Sequence, residues 1–262
     1  MDLQLGNRIA LVTGSHRGTG EVIAATLAKE GATVIVHGPE PEAAQRVAGQ
    51  LKRGYAVWGD VSTEAGCLQV AEQVTGLVGE IDILVNNYGV ASTGKWSSTC
   101  NGDWVESYQH NVLSAARLIQ HFVPEMKQRG WGRIVQLGTI GSHQPNNIMP
   151  DYYSAKGALA TMTVSLAKEL SNTGITVNTV SPGYIRTPEV EASLRQRAQK
   201  KGWGEDWKEI VKQVVAHDYP NPCGRLAERQ EVADLVAFIC SNRAGYINGQ
   251  NIRIDGGAVR YV

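Results

Sequence analysis

One alternation constrains the fold of this chain more than any other feature. Short, nearly unbroken apolar runs recur, and most are followed by a longer stretch whose apolar residues fall at helical spacing. A strand that is apolar at every position has both faces buried. That arrangement belongs to parallel sheets whose crossover helices cover both sides. Runs at 8–13, 33–36, 55–58, 81–85, 133–137, 175–180 and 251–254 predict seven strands. Helical spacing predicts helices over 21–30, 42–52, 63–77, 103–129 (one long stretch), 152–170 and 229–241. The expected fold is α/β: a Rossmann-type, doubly wound parallel sheet of seven strands with helices on both faces.

No linker or low-complexity tract divides the sequence, so residues 1–262 read as one domain. One segment, 188–222, breaks the repeating unit. It is charged, carries Trp203 and Trp207, and reads either as a substrate-side insert or lid, or as a solvated pair of surface helices. Twenty-five basic residues balance 25 acidic ones, and no aromatic-plus-basic stripe is present, which argues against nucleic-acid binding. Cys67, Cys100, Cys223 and Cys240 stand alone, without CxxC spacing, which predicts neither a zinc site nor a disulfide framework and fits a reducing, cytoplasmic compartment. The six histidines are scattered, so no metal site is expected. The N-terminal stretch has no basic region, and its longest apolar run is four residues, Ile9 to Val12, so neither a signal peptide nor a membrane anchor is expected.

Twenty-nine glycines call for tight turns or for a backbone that a ligand approaches closely. Eight residues between the first strand and the first helix show where: Thr13, Gly14, Ser15, His16, Arg17, Gly18, Thr19 and Gly20. A helix N-terminus offers free N–H groups and the positive end of a dipole, both suited to a pyrophosphate. Gly14 permits the turn, Gly18 lets phosphate or ribose approach, and Gly20 lets the helix pack on the strand. The spacing is GxxxGxG, whereas the usual dinucleotide fingerprint is GxGxxG; packing alone is the alternative use of such a turn. After the second strand a carboxylate would bind a ribose 2′-OH, but none occurs until Glu40. Arg17, assisted by His37, is placed to meet a 2′-phosphate, so NADP(H) is the expected cofactor. NAD(H) stays possible if Glu40 reaches back to the ribose or Arg17 is only a surface cation.

A second constellation carries acid–base chemistry. Tyr152 and Lys156 are four residues apart on one helix face, and an ammonium near a phenol favours the phenolate. Such a pair can exchange a proton with a carbonyl or alcohol oxygen. Tyr153 is also within one turn of Lys156, so spacing alone does not choose between the tyrosines. At the end of the fifth strand, Thr139 or Ser142 could hydrogen-bond a substrate oxygen; simple turn chemistry is the alternative for both.

Together these residues resemble the short-chain dehydrogenase/reductase family, in its compact single-domain branch, over nearly the whole chain. The family's TGxxxGxG stands here as Thr13 to Gly20, its acidic residue as Asp60 before Val61, and its NNAG as Asn86, Asn87, Tyr88 and Gly89. Its helix asparagine is Asn111, its YxxxK is Tyr152 and Lys156, and its PGxxxT runs Pro182, Gly183, Tyr184, Ile185, Arg186, Thr187. The chain is most similar to β-ketoacyl-carrier-protein reductases and to related sugar- or alcohol-oxidising members. The resemblance implies a hydride transfer between NADP(H) and a carbonyl or secondary alcohol. It implies Tyr152 as general acid/base, Lys156 lowering its pKa and holding the nicotinamide ribose, and Thr139 positioning the substrate oxygen. It further implies Asn111 holding a water for Lys156, Asp60 and Val61 at the adenine, and Asn87 at a ribose, with Gly89 beside it in the same motif. Pro182, Gly183, Ile185 and Thr187 would lie at the nicotinamide end, Ile185 and Thr187 at the carboxamide. It also implies a homo-oligomer, tetramer or dimer, formed through the long helices and the last strand.

Two positions depart from the pattern: Thr139 stands for the family's serine, with Ser142 as fallback, and Tyr88 stands for its alanine. The alternatives are an NAD-dependent dehydrogenase of a sugar or cyclic alcohol and, from another class, a catalytically silent dinucleotide-binding sensor. The two departures are the sensor's only support, and Tyr152, Lys156 and Asn111 argue against it.

Overall fold

A computed structural model of the chain describes residues 2–261. The first half is a run of βα units. β1 (Ile9–Val12) leads to α1 (Gly18–Lys29), β2 (Thr33–Gly38) to α2 (Pro41–Ala48), and β3 (Gly54–Trp58) to α3 (Glu64–Val78). Then follow β4 (Ile83–Asn86), α4 (Asn101–Tyr108), a π-helical turn (Gln109–Leu113) and α5 (Ser114–Arg129). β5 (Gly132–Leu137), α6 (Pro150–Glu169) and β6 (Ile175–Pro182) come next. The chain ends with β7 (Ile185–Arg186), α7 (Pro188–Lys201), α8 (Trp207–His217), β8 (Ala227–Glu228), α9 (Arg229–Ile239) and β9 (Asn251–Ile254).

The seven expected strands form one parallel sheet in the order β3-β2-β1-β4-β5-β6-β9. Strand order reverses between β1 and β4, which opens a crevice at the carboxyl ends of the strands. Alternation along each strand divides the core. Val12, Val36, Val85 and Val135 face a layer formed with α1, α2 and α9, whereas Leu11, Ile35, Leu84 and Ile134 face α3 and α5. Burial on both faces is why these strands read as unbroken apolar runs.

Two details differ from the sequence expectation, and two more are added by the structure. α2 stops at Ala48 instead of running to 52, because β3 begins at Gly54 directly against the Ala48 carbonyl, where a Cβ would not fit. The long helix expected over 103–129 is interrupted by the π turn around Asn111. The excursion at 188–222 folds as α7 and α8 around a small core of their own, Leu194, Ala198, Ile210 and Val214 with Leu226. A two-residue parallel ribbon, β7 with β8, ties that excursion to the start of α9.

Phe122 on α5 is 1% exposed and sits in the layer shared with α3. Phe122→Ala should lower the unfolding free energy in urea by about 3–5 kcal/mol with an unchanged denaturant slope. A loss below about 1 kcal/mol would mean that this layer does not hold α5 to the sheet.

Candidate active site

The glycine turn follows β1. Gly14 and Gly18 have φ of +62° and +63°, a left-handed conformation that glycine adopts without strain. A Cβ on Gly18 would meet nothing within 4 Å, so this side of the turn is open. On Gly20 it would strike the Asn87 amide and the Gly14 carbonyl, so here close packing demands glycine. The N-cap residue of α1, Arg17, makes no side-chain cap. First-turn N–H groups therefore face the crevice uncapped, as an anion site requires.

Most side chains of this motif work inward. Ser15 Oγ donates to Val12 O at 2.6 Å and accepts from His37 N at 3.0 Å. Thr13 Oγ1 accepts from Tyr88 N at 2.9 Å. Asn87 Nδ2 donates to Thr13 O at 2.9 Å and to Gly14 O at 3.2 Å. The Ser15 and His16 amides both donate to His37 O, which fastens the turn to the end of β2. His37 itself is 1% exposed. Its Nδ1 accepts from Gly14 N at 3.0 Å, so Nε2 carries the hydrogen and donates to Gly59 O at 3.0 Å. Burial pushes its pKa down to about 4. The expected assistance of His37 to a 2′-phosphate is thereby corrected: the ring is neutral, fully engaged, and holds the turn from beneath.

Arg17 is exposed, and its Nη1 lies 3.6 Å from Glu189 Oε1 on the first turn of α7. Asp60 accepts from Ser62 Oγ at 2.6 Å and from Ser62 N, bonds that keep its carboxyl below the usual range. The Val61 side chain is buried against α3, leaving only backbone to meet a base. The Tyr88 ring lies edge-on to His37, and its hydroxyl bonds His110 Nδ1 at 2.7 Å. An open depression of about 940 Å³ runs from Asp60 and Ser62 past Glu106 and His110 to Arg117, and Tyr152 is not among its lining residues.

Across the crevice, α6 begins at Pro150 and carries Tyr152 and Lys156. Lys156 is 4% exposed and donates to Leu137 O at 2.8 Å. Burial draws its pKa down to about 8. A Cβ on Gly89 would lie 2.5 Å from Asn111 Oδ1 and 2.9 Å from Lys156 Nζ, so these three residues converge. Asn111, on the π turn, donates to Val90 O at 2.9 Å and Ser107 O at 3.0 Å and accepts from Val90 N at 3.1 Å. Its two amide hydrogens are thus spent on Val90 O and Ser107 O, which ties the 89–90 segment to the helix and leaves the side-chain amide none to donate to a water.

Burial pushes the Tyr152 phenol up to about 12, and the Tyr153 phenol adds to the shift. Lys156 Nζ stands 6.0 Å from the Tyr152 ring centroid. The expectation that Lys156 lowers this pKa is corrected for the chain by itself: desolvation dominates, and Tyr152 is a protonated phenol at neutral pH. Tyr153 is engaged elsewhere, its ring on Gly141 and its hydroxyl accepting from Asn146 Nδ2 at 3.2 Å. Thr139 Oγ1 accepts from Gly141 N at 3.2 Å and keeps its own proton available. Ser142 Oγ donates its hydrogen bond to Thr139 O at 2.7 Å.

At the far end of the crevice, Gly183 leaves β6 with its amide on Ile254 O and no room for a side chain beside Tyr219. Pro182 closes β6, Ile185 lies in the short ribbon, and Thr187 caps α7 by accepting from Val190 N at 3.2 Å. Basic side chains cover the tryptophans of the excursion. Arg197 and Lys201 cover Trp203, Arg186 and Arg195 cover Trp207, and exposed Trp96 packs on Trp104. Sequence reasoning missed Arg46, which reaches from α2 to donate to His16 O at 2.8 Å. Nothing in its position along α2 marks it. Among the described residues no three His, Cys, Asp or Glu side chains are grouped to hold a metal ion, and no helix is long and apolar enough to cross a membrane.

The comparisons agree with this geometry. A model of the family described as enoyl-(acyl carrier protein) reductase matches residues 14–259. A 3-oxoacyl-(acyl-carrier-protein) reductase of Aquifex aeolicus is 34% identical, covering 98% of this chain and 99% of that protein. Its Escherichia coli counterpart is 35% identical over 95% of this chain and 96% of that protein. The L-sorbose reductase of Gluconobacter frateurii, solved with NADPH and L-sorbose, superposes with a TM-score of 0.94 at 32% identity, covering all of both chains. A 7α-hydroxysteroid dehydrogenase solved with NADH gives 0.85 at 28% identity, covering 99% of this chain and 97% of that one.

The depressed Lys156 pKa has a stability consequence. Between about pH 8 and 10.5 the unfolded chain holds a proton on this lysine that the folded chain has released, so stability rises with pH through that window. Lys156→Met removes the effect. It should be the more stable protein at pH 7, by about 3 kcal/mol from the shift alone, and the difference should close towards pH 10.5. Urea unfolding of both proteins across this range measures it, and parallel profiles would show that Lys156 is not desolvated.

Proposed function

The chain belongs to the short-chain dehydrogenase/reductase family, and on that premise we propose that it reduces a carbonyl to a secondary alcohol with NADP(H), reversibly, using Tyr152 as general acid/base. One observation carries this reading. Lys156, Asn111 and Gly89 converge beside Tyr152 at the carboxyl ends of the strands, on the same crevice as an uncapped helix N-terminus. When bound, the nicotinamide dinucleotide supplies or accepts the hydride, which no side chain can do.

The residues present fit such a group. The turn from Gly14 to Gly20 and the start of α1 would hold the pyrophosphate, with Arg17 at the 2′-phosphate. Asp60 and the Val61 backbone would meet the adenine, and Asn87 and Gly89 a ribose. Pro182, Gly183, Ile185 and Thr187 would line the nicotinamide end. Tyr152 donates its phenolic proton to the substrate oxygen during reduction; with burial holding that proton on, the acid is ready at neutral pH. Thr139 donates a second hydrogen bond to the same oxygen, a task Ser142 cannot share while its hydroxyl donates to Thr139 O. Asn111 keeps the 89–90 segment against Lys156.

A second reading, an NAD-dependent dehydrogenase of a sugar or cyclic alcohol, has one feature behind it: Glu189 holds Arg17. We further read residues 188–222 as a substrate-side insert on a single domain, and the protein as a cytoplasmic homo-oligomer. Exposed apolar residues on α3, α4 and α6 (Leu68, Val105 and Val164) support association.

NADPH oxidation with a panel of ketones tests the assignment. Tyr152→Phe should lose about 10²–10⁴-fold in kcat, whereas Tyr153→Phe should keep turnover; loss in the Tyr153 variant alone rejects the reading. Thr139→Val should cost far more rate than Ser142→Ala, and the reverse order moves the role to Ser142.

A further inference from the structure

We propose that Arg46, seated on the backbone of His16, reads the adenosine 2′-phosphate and so sets the preference for NADP(H) over NAD(H). The inference deepens the cofactor reading above and rests on it. In a sheet of this kind the ribose is read by a side chain at the end of the second strand. Here that place has none, because β2 ends in Gly38. The His16 ring stands there instead: a Cβ on Gly38 would lie 3.0 Å from His16 Cβ and 3.2 Å from Cγ. No acidic side chain fits at position 38, and the amides of Ser15 and His16 on His37 O keep turn and strand end together.

Arg46 approaches from α2. Its Nη2 donates to His16 O at 2.8 Å, which fixes the guanidinium beside the turn. Its Nη1 makes only a 3.4 Å contact to Glu21 Oε1. His16 Nδ1 is buried and has no partner among the described residues. Burial, and then Arg17, lowers the His16 pKa, so positive charge at this spot comes from the two arginines. Each is lightly held by a carboxylate, Arg17 by Glu189 at 3.6 Å and Arg46 by Glu21 at 3.4 Å, with both guanidinium side chains exposed. Exposed pairs of this kind are weak. A phosphate dianion offers a guanidinium shorter, paired hydrogen bonds. A 2′-hydroxyl offers no charge, so the carboxylates keep their arginines when NADH binds. Arg17 is shared with the excursion at 188–222, whereas Arg46 is held by the glycine turn and by Glu21 at the start of α1, and this makes Arg46 the discriminating residue.

Intrinsic tryptophan fluorescence titrations with NADPH, NADH, 2′,5′-ADP and 5′-AMP test the proposal on wild type, Arg46→Ala and Arg46→Gln. The glutamine variant keeps a neutral donor for His16 O. Both variants should bind NADPH and 2′,5′-ADP about tenfold or more weakly, the scale of one charge-assisted contact. Binding of NADH and 5′-AMP should change by less than about twofold, the scale of a lost exposed ion pair. Equal weakening of both cofactors, or an unchanged NADPH/NADH ratio, would overturn the proposal and leave Arg46 as a brace for the turn. A wild type that binds NADH more tightly than NADPH overturns the NADP(H) reading and this inference together.

Discussion

An ammonium group is buried where water scarcely reaches it, with the Leu137 carbonyl as its hydrogen-bond acceptor. Placing a charge in such a site costs several kcal/mol unless it is well paired, and Lys156 responds by holding its proton less tightly. Several elements are arranged around this group. β5 supplies the carbonyl at its last residue. Gly89 lacks a side chain because one would collide with Asn111 and Lys156. The π turn puts Asn111 where it bonds the 89–90 segment and the helical turn before it. π turns cost helix stability and are found mostly at functional sites; this one sits where α4 hands over to α5, against the lysine.

The opposite wall is built on a different economy of groups. The glycine turn presents backbone to the crevice and sends most of its side chains into the protein. Ser15, Asn87 and His37 each satisfy a backbone group of the turn or of β2, and Thr13 satisfies the amide of Tyr88 after β4. Those bonds hold the first-turn amides of α1 in place before any anion arrives, and preorganised donors of this kind lose nothing to rearrangement on binding. Charge is added at the rim by arginines that carboxylates hold loosely.

Much of this was legible from residue order. The strands of the main sheet could be located because the inner ones, buried on both faces, are largely apolar, and the edge strands β3 and β9 keep short apolar runs; motif order placed the turn, Asn111, Tyr152 and Lys156 on one crevice. What residue order could not convey was what each polar group touches. His37 looked like a phosphate ligand because it follows β2, yet both ring nitrogens belong to backbone. Tyr152 and Tyr153 were equivalent by spacing, and only Gly141 and Asn146 separate them. Proximity to Lys156 promised a lowered phenol pKa, but the extent of burial, which no spacing reveals, outweighs it.

The sequence by itself determined the sheet, its helices and the end of the sheet at which chemistry occurs, because apolar periodicity and glycine placement are local signals that fix which faces are buried. Tertiary structure alone decided which hydroxyl keeps a free proton, which tyrosine hydroxyl is left unengaged, how far Lys156 is dried, and that Arg46 meets the glycine turn. Those outcomes depend on partners far apart in the chain, such as His16 with Arg46, and on desolvation, which is a property of the packed surroundings rather than of the residue.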